Sequence, residues 1–287
     1  MDSVIVTGSG TGIGRATSLF LAKKGFSVYA TVPCPEHAAP LEEQARRRGL
    51  SNLRVLLLDI TDPESIASAV GRVCRETGTI FGLVNNAGIG LRGYFEDLSE
   101  AEIERLFATN VFGTMAVTRA VLPHMREARR GRIVFITSIG GRIGSLGVSS
   151  YCASKFAQEG FAESLYQELL PLGIRVVIIE PAIVNTERWG IHRGVAAGAE
   201  DPLSFYYAWF RREEALADRL AKRAPTQTGD VARAIHKALT AARPRLRYMV
   251  GRRARIIYAL RRYLPEPVFE RLYFGGIIRY VARPRRS

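Results

Sequence analysis

Along the first 180 residues, short runs of consecutive apolar and β-branched residues alternate with longer stretches in which apolar residues recur every three or four positions. The runs Ser3–Thr7, Phe26–Thr31, Arg54–Asp59, Gly82–Asn85, Arg132–Thr137 and Arg175–Glu180 predict six β-strands. Most are apolar at successive positions, as in Val55-Leu56-Leu57-Leu58 and Val176-Val177-Ile178-Ile179. Such runs fit strands covered on both faces, the condition inside a parallel sheet. Helical stretches fall near 13–24, 36–48, 63–76, 99–128 and 151–170. Thr61-Asp62-Pro63-Glu64 supplies capping oxygens, a proline and an acid for one first turn. This alternation predicts an α/β fold with a doubly wound parallel sheet, its ligand lying beyond the carboxyl ends of the strands.

Composition narrows the class. With 287 residues, 47% hydrophobic, 24% charged, 27 Gly and 13 Pro, the chain is neither disordered nor collagenous nor a disulfide scaffold. Cys34, Cys74 and Cys152 share no CxxC spacing, and His37, His124, His192 and His236 are scattered. They predict reduced thiols and no metal site. The net charge of +14 is concentrated at one end: residues 241–287 hold 13 arginines against Glu266 and Glu270, while the first 240 residues hold 28 basic and 25 acidic side chains. The expected organisation is one domain over 1–240 and a basic helical extension over 241–287. No signal peptide is expected before the first strand, and no apolar run approaches the ~20 residues of a spanning helix. A cytoplasmic protein, with membrane association at most at its surface, is the expectation.

Thr7-Gly8-Ser9-Gly10-Thr11-Gly12-Ile13-Gly14 follows the first strand and opens a helix. Glycines let the backbone approach a pyrophosphate, and the helix start favours an anion. A lone glycine loop serves equally as a turn needing positive φ; its place after the first strand favours a nucleotide.

The spacing Thr-Gly-x-x-x-Gly-Ile-Gly resembles the fingerprint of the short-chain dehydrogenase/reductase family, and further residues extend the resemblance over about residues 1–240. Asp59 ends the third strand, Asn85-Asn86-Ala87-Gly88 the fourth, and Ser138 the fifth; Tyr151-Cys152-Ala153-Ser154-Lys155 is a YxxxK, and Pro181-Ala182-Ile183-Val184-Asn185-Thr186 resembles PGxVxT. The resemblance implies a Rossmann-type domain and a nicotinamide dinucleotide. The cofactor would be held by the loop Thr7–Gly14, by Val32, Asp59, Ile60, Asn86, Ala87 and Gly88, by Tyr151 and Lys155, and by Pro181, Ala182, Val184 and Thr186. Ala182 departs from the family's glycine, so its turn must suit a residue with Cβ. At the ribose selector, Val32 and Pro33 offer neither an acid nor a cation, which favours NAD(H) slightly over NADP(H). Arg46, Arg47 or Arg48 folding inward would reverse that preference.

Tyr151 and Lys155 stand four apart, on one helical face. Tyrosine titrates near ~10, and a neighbouring ammonium stabilises the phenolate, suiting Tyr151 to acid/base work. Ser138 would hydrogen-bond the substrate oxygen. The resemblance assigns Lys155 to the nicotinamide ribose and Asn110 to a water relay ending at Lys155. Singly, these residues read as a surface pair, a turn cap and a solvent-facing amide; in family order they read as a catalytic tetrad.

Trp189, Phe205 and Trp209 lie in a segment, about 182–228, that forms the substrate lid in relatives, and Gly140, Leu146 and Val148 belong to the opposite wall. Half of these apolar side chains are expected simply to pack. The sequence looks most like the hydroxysteroid- and retinol-dehydrogenase branch, which implies a hydrophobic secondary alcohol or ketone, steroid-, retinoid- or polyketide-like. Relatives form homodimers or homotetramers on the two long helices. In the tail, Ile256, Leu260, Leu272 and Ile278 recur among arginines; such basic amphipathic helices pack over the entrance or a partner, or lie on an anionic membrane. Packing is favoured, and nucleic acid is not expected. A cofactor-binding scaffold or sensor with little catalysis is the rival reading.

Overall fold

The computed structural model describes residues 1–184, 186 and 194–282. Seven strands form one sheet: β1 (Ser3–Val6), β2 (Ser27–Val32), β3 (Leu53–Leu57), β4 (Gly82–Asn85), β5 (Gly131–Ile136), β6 (Ile174–Pro181) and β7 (Arg247–Val250). The order is β3-β2-β1-β4-β5-β6-β7, with every neighbouring pair parallel. The helices are α1 (Gly12–Lys23), α2 (Ala38–Arg47), α3 (Pro63–Thr77), α4 (Glu100–Phe107), α5 (Thr114–Glu127), α6 (Ser149–Leu169), α7 (Tyr207–Lys222), α8 (Thr228–Thr240), α9 (Arg252–Tyr263) and α10 (Glu266–Val281).

Alternation along each strand sends side chains to opposite faces. Val4, Val6, Val134 and Ile136 pack beneath α1, α2 and α8, while Ile5, Ile133 and Phe135 pack beneath α3, α5 and α6. Each fully buried Val, Leu or Ile contributes about 1.5–3 kcal/mol, so both layers are needed to hold so apolar a sheet. Asp62 caps α3 by accepting from Glu64 N at 2.9 Å, with Pro63 in the first turn. The chain reverses direction across the sheet between β1 and β4, opening a crevice at their carboxyl ends.

Three expectations need correction. Leu57 is 53% exposed because β3 is an edge strand, covered less fully than its apolar run implies. The stretch 99–128 is two α-helices joined by a π-helical segment, Ala108–Gly113. The region after 240 is not helical throughout, since Arg247–Val250 pairs with β6 as a seventh strand. Its first residue is an arginine that Glu159 and Glu163 hold at 3.2 and 2.7 Å. Beyond β7, both tail helices dock on the rest of the chain. Tyr258 of α9 accepts a hydrogen bond from Arg142, Phe269 and Val281 of α10 are buried, and Arg212 of α7 donates to Val281 O at 2.7 Å.

Candidate active site

The glycine loop is fixed from two sides. Thr7 Oγ1 accepts from Asn86 N at 3.0 Å and Ala87 N at 2.9 Å, and Asn86 Nδ2 donates to Thr7 O at 2.8 Å and Gly8 O at 3.0 Å. Ser9 N donates to Thr31 O at 2.7 Å, and Ser9 Oγ pairs with Ser18 Oγ at 2.9 Å. Thr7 and Asn86 thus tie the loop to the end of β4, and Ser9 ties it to β2 and α1.

Gly8 has φ +66°, and a Cβ there would lie 2.8 Å from Ala87 Cα; one at Gly14 would lie 2.2 Å from Gly8 O. Thr11 makes no side-chain cap, so the first turn of α1 keeps its amide donors. This is a cradle that side chains would fill, and it fits the pyrophosphate of a dinucleotide. Val32, Asp59, Ile60 and Ala87 are not among the residues lining the cavity beside that cradle; Ala87 packs against Gly8 and Ile60 against Gly113. Val32 approaches the Gly10 Cβ position to 3.6 Å, together with His37 at 3.0 Å. Asp59 is exposed and accepts from Thr61 N and Oγ1 at 2.8 and 2.7 Å. Arg46 and Arg47 are paired with Glu43 at the far end of α2.

From the loop, a cavity of about 400 Å³ runs past Asn86 and Gly88 to Ser138, Tyr151 and Lys155. Ser138 follows β5, and its Oγ accepts from Gly140 N at 3.0 Å, so it does cap a turn while facing the cavity. Lys155 Nζ lies 5.9 Å from the Tyr151 ring centre and donates to Ile136 O at 3.1 Å and Gln158 Oε1 at 2.8 Å. Asn110 sits in the π segment, fully buried; its amide holds Ile89 N and Ile89 O at 2.8 and 3.0 Å and donates to Ser154 Oγ at 3.1 Å. Gln158 Nε2 donates to Asn110 O at 2.5 Å, so Gln158 bridges Asn110 and Lys155. Its position one turn after Lys155 was a signal that the motif reading passed over.

Ala182 is tolerated for a visible reason. It lies outside the positive-φ region, and its methyl faces Gly251, where a Cβ would lie only 2.7 Å away. Pro181, Ala182, Val184 and Thr186 line the cavity beside Gly12, as do Ile13 and Thr11.

Gly140, Leu146 and Val148 form the expected wall. Phe205 and Trp209 do not join them: Phe205 is 79% exposed, and both rings meet Tyr206 edge-on and are not among the cavity's lining residues. Trp189 lies outside the described residues. The lid side of the cavity is instead Glu213, Ala217 and Leu220 of α7, whose i, i+4, i+7 spacing was the available signal. Burial, with Glu214's charge and against Arg92's, raises the Glu213 carboxyl to about 7. Behind the site, burial and the Glu159 charge raise Glu180 to about 7 despite Arg142 and Arg247.

A profile described as short chain dehydrogenase matches residues 2–193. Retinol dehydrogenase 5 of Mus musculus is 35% identical over 285 residues, covering 93% of this chain and 86% of that one. A 3-ketodihydrosphingosine reductase of Bacteroides thetaiotaomicron is 37% identical over 183 residues, 64% of each chain. The crystal structure of an actinorhodin polyketide ketoreductase variant with NADPH superposes with a TM-score of 0.72 at 28% identity, covering 84% of this chain and 90% of that one. The seven-stranded parallel sheet and these likenesses together define a Rossmann-type oxidoreductase. This chain belongs to the short-chain dehydrogenase/reductase family, with relatives among retinol dehydrogenases and ketoreductases.

Proposed function

We propose that this enzyme interconverts a hydrophobic secondary alcohol and its ketone, with Tyr151 as general acid/base. The observation carrying the reading is one mostly apolar cavity that joins the glycine cradle to Ser138, Tyr151 and Lys155. A bound nicotinamide supplies or receives the hydride. In the reducing direction Tyr151 delivers its phenolic proton to the carbonyl oxygen, and Ser138 donates a hydrogen bond to that same oxygen. Lys155, anchored on Ile136 O and Gln158, stabilises the phenolate left behind. Asn110 fixes the Ile89 backbone along the cavity rim.

NAD(H) is proposed over NADP(H), since Arg46 and Arg47 are committed to Glu43 away from the ribose end. The direct test is turnover of NADH and NADPH by the purified protein against a retinal, a steroid ketone and a bicyclic polyketide-like ketone. Consumption of either cofactor with one of them supports the reading. Tight cofactor binding without turnover of any would favour the scaffold instead.

The segment 182–228 is read as the substrate lid on a domain that runs through β7, and α9 and α10 as its C-terminal extension. Exposed Phe112 and Phe156 on the helical pair around α5 and α6 favour a homodimer or tetramer built there. A second reading concerns the tail. Ile256, Leu260, Leu272 and Ile278 are exposed beside Arg252, Arg255 and Arg271, which suits peripheral contact with an anionic membrane by a cytoplasmic enzyme. Among the described residues no helix is long and apolar enough to cross a membrane. Sedimentation with phosphatidylserine vesicles, full-length against a chain ending at Val250, tests that contact.

A further inference from the structure

Gln158 stands one turn after Lys155 on α6 and is 2% exposed. Its Oε1 accepts from Lys155 Nζ at 2.8 Å. Its Nε2 donates to Asn110 O at 2.5 Å and reaches Thr114 Oγ1 at 3.3 Å. The two ends of this amide cannot be exchanged. An ammonium only donates and a backbone carbonyl only accepts, so the linking side chain must accept on one side and donate on the other. A neutral amide of this length does both. A carboxylate would leave Asn110 O without a donor, a basic side chain would repel Lys155, and an apolar one would leave both partners unmet in a buried place.

The second anchor of Lys155 is Ile136 O, at 3.1 Å. The ammonium is therefore tied to the end of β5 on one side and, through Gln158, to the π segment and the start of α5 on the other. A lysine ammonium rides on a flexible four-carbon stem, so its field acts steadily on a neighbour only where the stem is held. Here Nζ is held 5.9 Å from the Tyr151 ring centre. Among the described residues, the other ionisable side chains lining the cavity are Arg92 and Glu213, 3.5 Å apart, and Cys152, whose thiol burial pushes up. Behind the site, Glu159 lies 3.7 Å from Arg142 and 3.2 Å from Arg247, and Glu180 faces the same two arginines.

We propose that Gln158 is a positioning residue of the active site: its amide fixes the Lys155 ammonium beside Tyr151 and thereby sets how readily the Tyr151 hydroxyl releases and recovers its proton. This rests on the acid/base reading above and deepens it. Gln158 is not among the cavity's lining residues, so it acts through Lys155 rather than on a substrate.

The test titrates Tyr151 directly and needs no substrate. Phenolate absorbance of the full chain is followed against pH, alone and with saturating NAD⁺, and the Tyr151 contribution is the difference from the matching Tyr151→Phe protein. The wild-type midpoint should lie below the ~10 of an ordinary tyrosine. Gln158→Met keeps the volume and loses both links, and should raise that midpoint by about 1 as the ammonium loosens. Gln158→Glu keeps an acceptor for Lys155 but sets a negative charge against it, and should raise the midpoint at least as far. Thr114→Val removes the weaker partner of Gln158 from the same packing, and should leave the midpoint within about 0.3 of wild type. A midpoint unmoved or lowered in folded Gln158→Met, or in Gln158→Glu where the Met variant does not fold, overturns the proposal alone. So does an equal rise in Thr114→Val, which would reduce Gln158 to packing. A wild-type midpoint at or above ~10 fails the acid/base reading itself, and this proposal falls with it.

Discussion

Gly14→Ala separates the geometry of the cofactor cradle from generic helix energetics, because the two predict opposite signs. Gly14 lies in the first turn of α1, where helix propensity alone favours alanine by about 1 kcal/mol. The added Cβ, however, would lie 2.2 Å from Gly8 O and 2.5 Å from Asn86 Nδ2, where real Cβ atoms stay beyond 3.0 Å. Relief requires the loop and Asn86 to retreat by on the order of 1 Å. That movement breaks the Asn86 bonds to Thr7 O and Gly8 O, at about 1 kcal/mol each, and adds about 1–3 kcal/mol of overpacking. The net expectation is about 2–4 kcal/mol against the native loop. Cofactor Kd should then rise roughly 30- to 1,000-fold where the protein still folds. Calorimetric titration with NADH and NADPH, beside thermal unfolding, reads both consequences. Gly71→Ala in α3 is the reference: its Cβ meets only the flexible end of Arg75, at 3.3 Å. It should gain up to about 1 kcal/mol with cofactor binding unaltered. Wild-type affinity and melting temperature in Gly14→Ala would refute the reasoning.

Glu180 makes stability pH-dependent. Its carboxyl is raised from 4.5 to about 7, so its contribution is full below pH ~4.5 and is lost as pH rises through ~7, about 3 kcal/mol in all. Denaturant unfolding of Glu180→Gln should show a flatter pH profile and higher stability than wild type above pH ~8; parallel profiles would be inconsistent with the burial argument. Phe156→Glu should convert the assembled protein to monomer in size-exclusion light scattering, and an unchanged mass would remove that face from the interface. Gly251→Ala should strongly destabilise the chain, since its Cβ meets Ala182 Cβ and Thr226 Oγ1 at 2.7 Å. Ala182→Gly should rescue part of that loss; strict additivity in a double-mutant cycle would deny the contact.

The strands were legible because a parallel sheet buried on both faces demands uninterrupted apolar runs, and few other structures do. β7 escaped because Arg247 heads it, and a charged residue in a strand makes sense only once Glu159 and Glu163 of α6 and Glu180 of the neighbouring β6 are found beside it. The glycine loop and the Tyr151–Lys155 pair were readable as local spacings. The lid was not: aromatic content drew attention to Phe205 and Trp209, whereas the cavity is met by Glu213, Ala217 and Leu220, one to three turns further along α7. Which turns of a helix reach a cavity depends on partners distant in sequence, here Arg92 and Gly147, and no local pattern encodes them. Ala182 shows the same dependence, since its tolerance rests on Gly251, nearly seventy positions later.

The most direct test is transfer of label. The protein would be incubated with NADH or NADPH carrying deuterium at both nicotinamide C4 positions and a hydrophobic ketone that it turns over, and the alcohol product read by mass spectrometry, wild type beside Tyr151→Phe. One deuterium is expected in the alcohol, and a rate reduced about 10²- to 10⁴-fold in Tyr151→Phe while cofactor affinity stays near wild type. Unlabelled alcohol, or an undiminished rate without the Tyr151 hydroxyl, would contradict it.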